Sequence, residues 1–491
     1  MAFNRAPTID TNSSDRVSLF REIALRDGGA SGKDEDYLNV FMEIVKQSKA
    51  GDQRKFIMKR AGSTQLVASV AASAVRGMFY WADQNKLYYC VGRNVYVYDV
   101  NAATSVTLTN VFATSTGNVG FCEFLYNTGV VKICATDGTA VTGLVTIDNS
   151  NVVATNADVD LPAHLPIPIY LDGYLFVVKT NSADIYNSVV DNPFSWDSST
   201  FISTEMEADL VVSIAKLNNY LVVFGKETIE YFWDSAEAAP SSPLQRNDTP
   251  IKINQYIAGL AQYGNMLYYI GKDAGGQPDV FMLKNFECKS IASSSITRYL
   301  TSSISSVSTW TGNIVSFQGH TFYFINAGSS KTWAIDVDSE LTTRMAYQGN
   351  TIFDIKQSLV VIGNVSASFF TLNDGTSTIY KFDGSLYQDS STNFTCIITT
   401  EGVDFGTMNL KTMGRVALIG DRPSSNSNIL VQWSDDDHQT FNTGISINLN
   451  QDLPSVRQLG RFRQRIFKLS YTDNFPMRLQ DMEAIINKGS S

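Results

Sequence analysis

The sequence predicts an all-β protein whose largest part is a β-propeller of about six blades, with a smaller C-terminal β domain and an N-terminal arm. Two observations carry this prediction. The 491 residues include 22 Tyr and 28 Phe against three His, and such a surplus of aromatic residues is typical of β-strands. A pattern that opens a strand also recurs every 44 to 55 residues in the first two thirds of the chain.

The recurring pattern is a Gly or Asn turn residue followed two positions later by a large apolar residue. Six copies occur, the last of them a looser one at His320, with spacings of 44, 44, 46, 46 and 55 positions. Their apolar anchors are Leu87, Val131, Leu175, Leu221, Leu267 and Phe322. A blade of four antiparallel strands cannot bury both faces alone and stacks on its neighbours, so this period predicts about six blades.

Each anchor strand is expected to begin a hairpin. Further strand-like runs follow after short turns, as at 95–99, 229–233 and 332–336, and the turns carry the Gly and Asn residues that hairpins favour. Unrelated hairpins in a large β-sandwich would give a similar local pattern. The even spacing favours the propeller.

The regions outside the repeats predict two further parts. Residues 1–60 are expected to form an attachment arm, in which 34–45 adopts either a short helix or an extended segment lying on a neighbour. Residues 61–392 are assigned to the propeller. From 393 to 491 the apolar runs lengthen, as at 428–433, and a Gly/Pro/Ser-rich stretch separates them, which indicates a second, smaller β domain.

Charge and cysteine usage exclude several classes of protein. The chain has 38 Lys and Arg against 48 Asp and Glu, a net charge of −10, and residues 61–454 alone hold 20 against 36. It therefore lacks the cationic surface of a general nucleic-acid binder. Five cysteines at irregular spacing predict no disulfide framework. No apolar stretch reaches 18 residues and the start lacks a signal core, so we expect no membrane span and folding in a cytoplasm.

Motifs for catalysis are absent or weak. The stretch 28–33 has Asp27 where a phosphate-binding loop needs its leading Gly, and the three His lie in unrelated contexts. The carboxylate pairs that a glycosidase would need are restricted to Glu227 with Glu230, or Glu205 with Glu207 and Asp209. Both sets are more typical of solvated strand faces. We therefore expect no catalytic residue, no metal and no cofactor.

The acidic run at 434–441 predicts a turn in which aspartates accept hydrogen bonds from their own backbone. It resembles the Asp-box hairpin of sialidase-like propellers. The three carboxylates Asp435, Asp436 and Asp437 are also compatible with a bound cation, but the run lacks the Gly and the downstream Glu of a calcium loop.

The densest cationic stretch lies near the C-terminus. Strand alternation places Arg461, Arg463 and Arg465 on one face, where three guanidiniums can pair with carboxylates of a neighbouring subunit or contact DNA phosphates. The acidic middle of the chain favours a carboxylate partner.

Several segments together resemble the packaged-DNA stabilisation proteins, also called tail nozzle or tail accessory proteins, of short-tailed bacteriophages. The most specific window is 209–232, with Asn219-Tyr220-Leu221-Val222-Val223-Phe224-Gly225 at its centre. Supporting segments are 36–39, 192–196, 257–259 and 460–469. Within the first and last of these, the candidate residues for a subunit interface are Tyr37, Leu38, Arg461, Arg463 and Arg465.

The resemblance implies a non-enzymatic virion protein that forms a ring, most simply a hexamer, below the portal and its adaptor. Such a tube holds the packaged genome, offers docking surfaces for tail spikes, fibres or a needle, and conducts double-stranded DNA without reading its sequence. An acidic wall suits this role, because it repels phosphates. The alternative is a propeller that binds or hydrolyses glycans, indicated by the Asp-box-like turn and the many aromatic residues.

Overall fold

The computed structural model describes residues 15–18, 36–46, 53–205, 210–247, 251–252, 256–328, 330–361 and 367–489. Their regular elements are almost entirely β-strands, which confirms the predicted class. The chain divides into two compact units. The terminal unit comprises Met1–Gly62, Leu341–Thr351 and Gly384–Ser491, and the propeller unit comprises Ser63–Glu340 and Ile352–Asp383.

The strands of the first half are short and follow one another closely. Five precede the first blade: β1 (Asp15–Ser18), β2 (Asp36–Leu38), β3 (Val40–Lys46), β4 (Gln53–Lys59) and β5 (Gly62–Val67). The next twelve are β6 (Gly77–Trp81), β7 (Lys86–Val91), β8 (Asn94–Asp99), β9 (Thr104–Leu108), β10 (Gly120–Leu125), β11 (Val131–Thr136), β12 (Leu144–Ile147), β13 (Val153–Thr155), β14 (Ile169–Leu171), β15 (Tyr174–Val178), β16 (Asp184–Val189) and β17 (Asn192–Ser203).

The second half contains the described α-helix and the longest strands of the chain's end. Its first part holds β18 (Ser213–Leu217), β19 (Tyr220–Phe224), β20 (Thr228–Asp234), β21 (Leu244–Arg246), β22 (Ile251–Lys252), β23 (Tyr256–Tyr263), β24 (Met266–Lys272), β25 (Pro278–Lys284), β26 (Glu287–Ser290), α1 (Ser294–Ser302), β27 (Thr311–Phe317), β28 (His320–Asn326) and β29 (Thr332–Asp336). Then follow β30 (Thr342–Met345), β31 (Ile355–Val361), β32 (Ala367–Leu372), β33 (Ile379–Asp383), β34 (Cys396–Thr399), β35 (Lys411–Gly420), β36 (Asn428–Ser434), β37 (Ile445–Asn448), β38 (Ser455–Arg457), β39 (Arg461–Phe462), β40 (Ile466–Tyr471) and β41 (Arg478–Lys488). Short 3-10 helices span Ala82–Gln84 and Ile304–Thr309.

The propeller unit contains seven sheets in its described residues. They are β6–β9, β10–β13, β14–β17, β18–β22, β23–β26, β27–β29, and β31–β33 completed by β5. The repeat pattern predicts about six, and all six of its anchors lie on the second strand of a blade, from β7 to β28. The six copies do not include the seventh blade, which local patterns detect poorly because β5 lies far upstream of its partner strand β33.

The blades form a closed ring through their first strands. Strand β6 contacts both β10 and β31, which joins the first blade to the second and to the seventh. The second strands are buried on both faces, because each blade is covered by a neighbour on either side: Leu87, Leu175, Leu221 and Leu267 are all completely buried. Apolar clusters accordingly lie between adjacent blades, such as the one that joins the fourth and fifth.

A pair of glycines lets the fifth and sixth blades approach closely. Gly259 lies in a bulge of β23 with a positive φ of 74°, and its carbonyl accepts a 2.6 Å hydrogen bond from the buried Tyr323 hydroxyl. A Cβ on Gly312 would lie 2.1 Å from that hydroxyl and 2.5 Å from the Gly259 carbonyl. Only glycine fits at 312 without displacing backbone.

The terminal unit has two sheets around one apolar core. The first runs in the order β3-β4-β41-β35-β38, with β1 on β41 and β39 on β35. The second contains β30-β2-β34-β40-β36-β37. Their inward residues form a single cluster to which both chain ends contribute, including Val40, Ile57, Met413, Leu469 and Met482.

This arrangement differs from the expected three-part division of the chain. The described residues of 1–60 are strands, so the helix alternative for 34–45 is wrong over its described part, and β3 and β4 join the C-terminal strands instead of forming a separate arm. The physical reason is the alternation of apolar residues in β3, where Val40 and Met42 face the shared core. The segment 28–33 lies outside the described residues.

Candidate interaction surfaces

The C-terminal arginine row is broken by a bend. Arg461 lies in β39 opposite Thr412, residues 463 and 464 form the bend, and Arg465 lies just before β40. Arg465 turns inward and is almost completely buried, with Nε and Nη2 each donating a 2.7 Å hydrogen bond to Asp435 of the same chain. The prediction that three arginines share one strand face is therefore wrong, and Arg465 is paired within its own chain.

Phe462 explains why Arg465 turns inward. The phenylalanine ring is buried, with the Arg465 guanidinium 4.3 Å and the Lys411 ammonium 5.5 Å from its centroid. Arg465 Nη1 also donates a 2.8 Å hydrogen bond to the Leu459 carbonyl. The cation thus gains partners that compensate for its removal from water.

Two arginines that the sequence prediction missed join Arg461 on the outward face of this sheet. Arg415 of β35 and Arg457 of β38 are directly opposite each other, which places their side chains on the same face. Gly414 is an extra residue in β35, so Thr412 and Arg415 pair with Asn487 and Ile485, two residues apart on β41. Thr412 and Arg415 therefore share a face despite their odd spacing.

We call Arg415, Arg457, Arg461 and Arg463 the arginine face. Arg457, Arg461 and Arg463 are exposed and Arg415 is half-buried. Among the described residues, none of the four has a carboxylate partner. No sequence signal distinguishes Arg415 and Arg457, because they are isolated charges within otherwise unremarkable strands.

An exposed apolar pair lies beside the arginine face. Met408 is 58% exposed and Leu410 36%, and the Arg463 guanidinium donates a 2.8 Å hydrogen bond to the Met408 carbonyl. The loop that carries both residues is held by Lys411, whose ammonium donates hydrogen bonds to the carbonyls of Thr407 and Asn409. Desolvation of this ammonium lowers the pKa of Lys411.

Tyr37 and Leu38 lie inside the second sheet of the terminal unit. Strand β2 pairs with β34 on one side and with β30 on the other, so its backbone groups bond within the chain. Both side chains are half-buried, and Asp36 forms an ion pair with Arg344. Their part in an interface between subunits stays a proposal, as does that of Arg461 and Arg463.

A buried ionic cluster ties three distant segments of the terminal unit together. The guanidinium of Arg60 donates to both carboxylate oxygens of Asp389, to Asn39 Oδ1 at 3.0 Å and to the Ala346 carbonyl at 2.8 Å, and neither charged side chain is exposed. Neighbouring Lys59 is also buried. Desolvation, opposed chiefly by Cys396, lowers the pKa of Lys59 to about 8.

The carboxylates considered for glycoside hydrolysis are placed differently from expectation. Glu230 is almost completely buried and lies 2.8 Å from Arg246 Nε, so its prediction as a solvated strand residue is wrong. Glu205 is mostly exposed, 3.7 Å from Arg246 Nη2. Glu207 and Asp209 lie outside the described residues. Arg246 lies between Glu205 and Glu230 and forms an ion pair with each of them.

The acidic turn at 434–441 holds its own backbone. Asp436 accepts hydrogen bonds from the hydroxyls of Ser434 and Thr440 and a 2.9 Å one from the Thr440 amide. These donors lower the pKa of Asp436 to about 2. No group of three or more metal-ligating side chains occurs among the described residues.

Two cavities of the propeller unit are lined by described residues. One, of about 490 Å³, is lined by first strands of five blades and contains Lys216 and Lys356. The other, of about 460 Å³, lies at the hairpin ends of the third and fourth blades. It is lined by Asp172, Asn218, Asn219, Tyr220, Trp233 and Asp234, and Trp233 is 40% exposed. In the part of the chain that is described, no helix is long and apolar enough to cross a membrane.

The fold defines a β-propeller protein, and its described residues include clusters of charged side chains. A family model described as bacteriophage P22 Gp10, β-propeller, matches residues 21–347. The chain therefore belongs to this family of phage stabilisation proteins, and it is a structural protein of the phage virion, as the sequence resemblance predicts.

Several solved structures are similar to this chain at low identity and with TM-scores below 0.5. The N-terminal domain of Nup159 has 11% identity and a TM-score of 0.39, with 71% of this chain and 100% of that chain covered. The Pan2 WD40 domain of Neurospora crassa has 8% identity and a TM-score of 0.41, with 66% and 95% covered. The extracellular domain of a hybrid two-component system from B. thetaiotaomicron has 9% identity and a TM-score of 0.43, with 78% of this chain and 47% of that chain covered. Among curated proteins, none matches the chain significantly.

Proposed function

We propose that this protein is a non-enzymatic component of a phage tail that assembles with rotational symmetry, most simply as a hexamer, into a tube below the portal and its adaptor. The tube retains packaged double-stranded DNA, conducts it during ejection and offers docking surfaces to spikes, fibres or a needle. Synthesis takes place in the host cytoplasm and function in the virion.

The observation that carries this proposal, beside the family, is the charge of the two units. The propeller unit holds 16 Lys and Arg against 28 Asp and Glu, a net charge of −12, whereas the terminal unit holds 22 against 20. An acidic surface releases no counterions on meeting DNA and repels its phosphates. A duplex then passes such a surface without being held.

Rotational symmetry sets a further requirement. A ring of identical subunits uses heterologous contacts, so each subunit must present two different and complementary patches. An acidic propeller unit and an unpaired arginine face on the terminal unit supply patches of opposite sign within one chain. Charge complementarity of this kind fixes the register of association.

Electron microscopy of negatively stained virions and of the recombinant chain tests the proposal. We expect annular particles with six-fold symmetry in both samples, and an annulus at the base of the tail when virions are labelled with an antibody to this chain. A binding assay with a 30-base-pair duplex accompanies it. A recombinant chain that stays monomeric together with virions that lack an annulus would contradict the proposal. Tight duplex binding that weakens steeply with salt would also contradict it.

The cleft at Trp233 supports a second candidate function, the binding of a glycan. An exposed indole beside carboxylate and amide side chains suits the stacking and hydrogen bonding of a neutral sugar. We expect a signal on a glycan array to disappear in Trp233→Ala and to persist in Phe201→Ala, which removes a similarly exposed ring that packs on Tyr186, away from the lining residues. Release of reducing sugar from host polysaccharide would extend this candidate to hydrolysis.

A further inference from the structure

We propose that the arginine face of the terminal unit docks onto carboxylates of the propeller unit of a second copy of this chain. This inference rests on the proposed ring assembly and names the surface through which it forms. Arg415, Arg457, Arg461 and Arg463 form one side of the contact, and Met408 and Leu410 form an apolar margin.

The geometry of the face concentrates positive charge. Arg415 and Arg457 are cross-strand partners, and like charges that lie directly opposite destabilise a sheet. Arg461 extends the same outward face through its pairing with Thr412. Arg463 lies in the adjoining bend, is exposed, and donates a hydrogen bond to the Met408 carbonyl. A partner that supplies anions relieves the repulsion, which an isolated chain must bear.

Guanidinium groups at these positions suit carboxylates. Each can form two parallel hydrogen bonds with a carboxylate, and such charge-assisted bonds are short and directional. Arg465 shows this pairing within the chain, where both carboxylate oxygens of Asp435 accept at 2.7 Å. The arginine face has the same capability, and none of its four residues has a carboxylate partner among the described residues.

The apolar margin favours a protein over a nucleic acid. Met408 is one of the more exposed large apolar residues of the described chain, its carbonyl accepts a hydrogen bond from Arg463, and the less exposed Leu410 lies two residues further along. Exposed Met and Arg side by side are typical of the centre of protein interfaces, where charged residues other than Arg are depleted. A phosphate backbone offers nothing for these two side chains to pack against.

Charge complementarity favours a second copy of this chain as the protein. The propeller unit carries a net charge of −12 and recurs in every subunit of a ring, so each arginine face meets one acidic propeller and the contact repeats until the ring closes. The contact is heterologous, which matches the need of a cyclic assembly for two different patches.

The first test measures assembly of the full chain by sedimentation velocity. We expect the double variant Arg461→Glu, Arg463→Glu to raise the dissociation constant of the oligomer at least about tenfold, and wild-type assembly to weaken as salt increases. Arg422→Glu is the matched control, because Arg422 is an exposed arginine of the same unit that already pairs with Asp452. Its assembly should be unchanged.

The second test identifies the partner surface. In the variant Arg461→Lys, Arg463→Lys, a carbodiimide joins the new amines to carboxylates in direct contact, and mixing ¹⁴N- and ¹⁵N-labelled chains marks the links between copies. We expect mass spectrometry to find mixed-isotope links from 461 or 463 to carboxylates within 63–340 or 352–383. Circular dichroism of each variant confirms that it is folded.

The outcomes separate the two proposals. Rings that form normally in the charge-reversed variant, or links that lead only to the terminal unit, overturn the arginine-face contact and leave the ring standing. Loss of duplex binding or of binding to another virion protein, with ring formation intact, also overturns it in favour of that partner. A wild-type chain that stays monomeric at every concentration overturns both.

Discussion

The propeller unit and the terminal unit use the chain in opposite ways. In the propeller unit, six of the seven described sheets are made of strands that follow one another along the chain, and the buried second strands are almost purely apolar. In the terminal unit, β41 pairs with β1, β4 and β35, so that Asp15 lies opposite Ile486. This unit also buries the Arg60–Asp389 ion pair. Pairing strands that are close in sequence costs little chain entropy. Pairing strands that are far apart costs more and needs strong tertiary contacts to offset it.

A substitution at Asp389 tests whether the buried ion pair stabilises the terminal unit. Asp389→Asn leaves the Arg60 guanidinium buried without a counter-charge, and we expect a loss of about 3–5 kcal/mol in the stability of the terminal unit. Hydrogen exchange in increasing urea should show faster exchange in peptides from 384–489. Asp452→Asn, in an exposed pair, is the control and should cost below about 1 kcal/mol. Equal effects of the two substitutions would show that the buried pair does not hold the unit.

The matching test of the propeller unit is Leu221→Ala. Leu221 is completely buried between the third and fourth blades, so truncation removes apolar contacts and leaves a cavity, at a cost of about 2–5 kcal/mol. Urea denaturation followed by tryptophan fluorescence measures it. Val159→Ala is the control, because Val159 is 80% exposed. A similar midpoint for the two variants would contradict the idea that packing between blades holds this unit.

Gly312→Ala tests whether the close backbone approach of the fifth and sixth blades contributes to stability. The new methyl group meets the Tyr323 hydroxyl and the Gly259 carbonyl, and we expect a destabilisation of about 1–3 kcal/mol. Gly349→Ala is the control, since nothing lies within 4 Å of its added Cβ. We expect calorimetry to show a lower unfolding midpoint for Gly312→Ala and an unchanged midpoint for Gly349→Ala. An unchanged midpoint for Gly312→Ala would mean that the fifth and sixth blades can move apart at no cost.

The smallest expected effect concerns pH and Lys59. Because its pKa is lowered from 10.5 to about 8, the unfolded chain binds more protons than the folded chain between these values. The stability of the terminal unit therefore gains from Lys59 as the pH rises through this window, by at most about 1.4 kcal/mol per pH unit, and bears the full cost of the buried ammonium below pH 8.

Denaturation of wild type and Lys59→Met at pH 7.5, 8.5 and 9.5 isolates this contribution. Burial raises the pKa of Cys396 to about 12, which acts in the opposite direction and is present in both chains. We expect wild type to gain stability relative to Lys59→Met as the pH rises. Parallel curves for the two chains would exclude a titrating Lys59.

The fold was predictable where pairing is local. Six anchors from Leu87 to Phe322 identify second strands, because a Gly or Asn turn and a buried apolar strand lie within a few positions of each other. The seventh blade escapes this logic, since β5 and β33 are separated by the whole propeller. The expected N-terminal arm fails for the same reason. Nothing in the sequence around Ile57 indicates that this residue pairs with Leu479.

The candidate site was predictable in part. Composition singles out the dense run of arginines, but strand alternation misplaces Arg465, because the bend at 463–464 changes which face each side chain takes. Arg415 joins the arginine face only through the extra residue Gly414, and Arg457 only through its pairing with Arg415. The position of a bulge and the register between strands depend on tertiary structure and cannot be read from local sequence.

The closure of the seventh blade by β5 has a consequence for biosynthesis. Strand β5 ends at Val67 and β33 begins at Ile379, so 312 positions must be translated between them. At roughly 5–20 residues per second, a ribosome needs about 15 to 60 seconds for that distance. During this interval β5 waits with an open edge, which is the kind of surface that captures other nascent strands. That interval is therefore the stage of synthesis at which the chain is most exposed to wrong strand pairing.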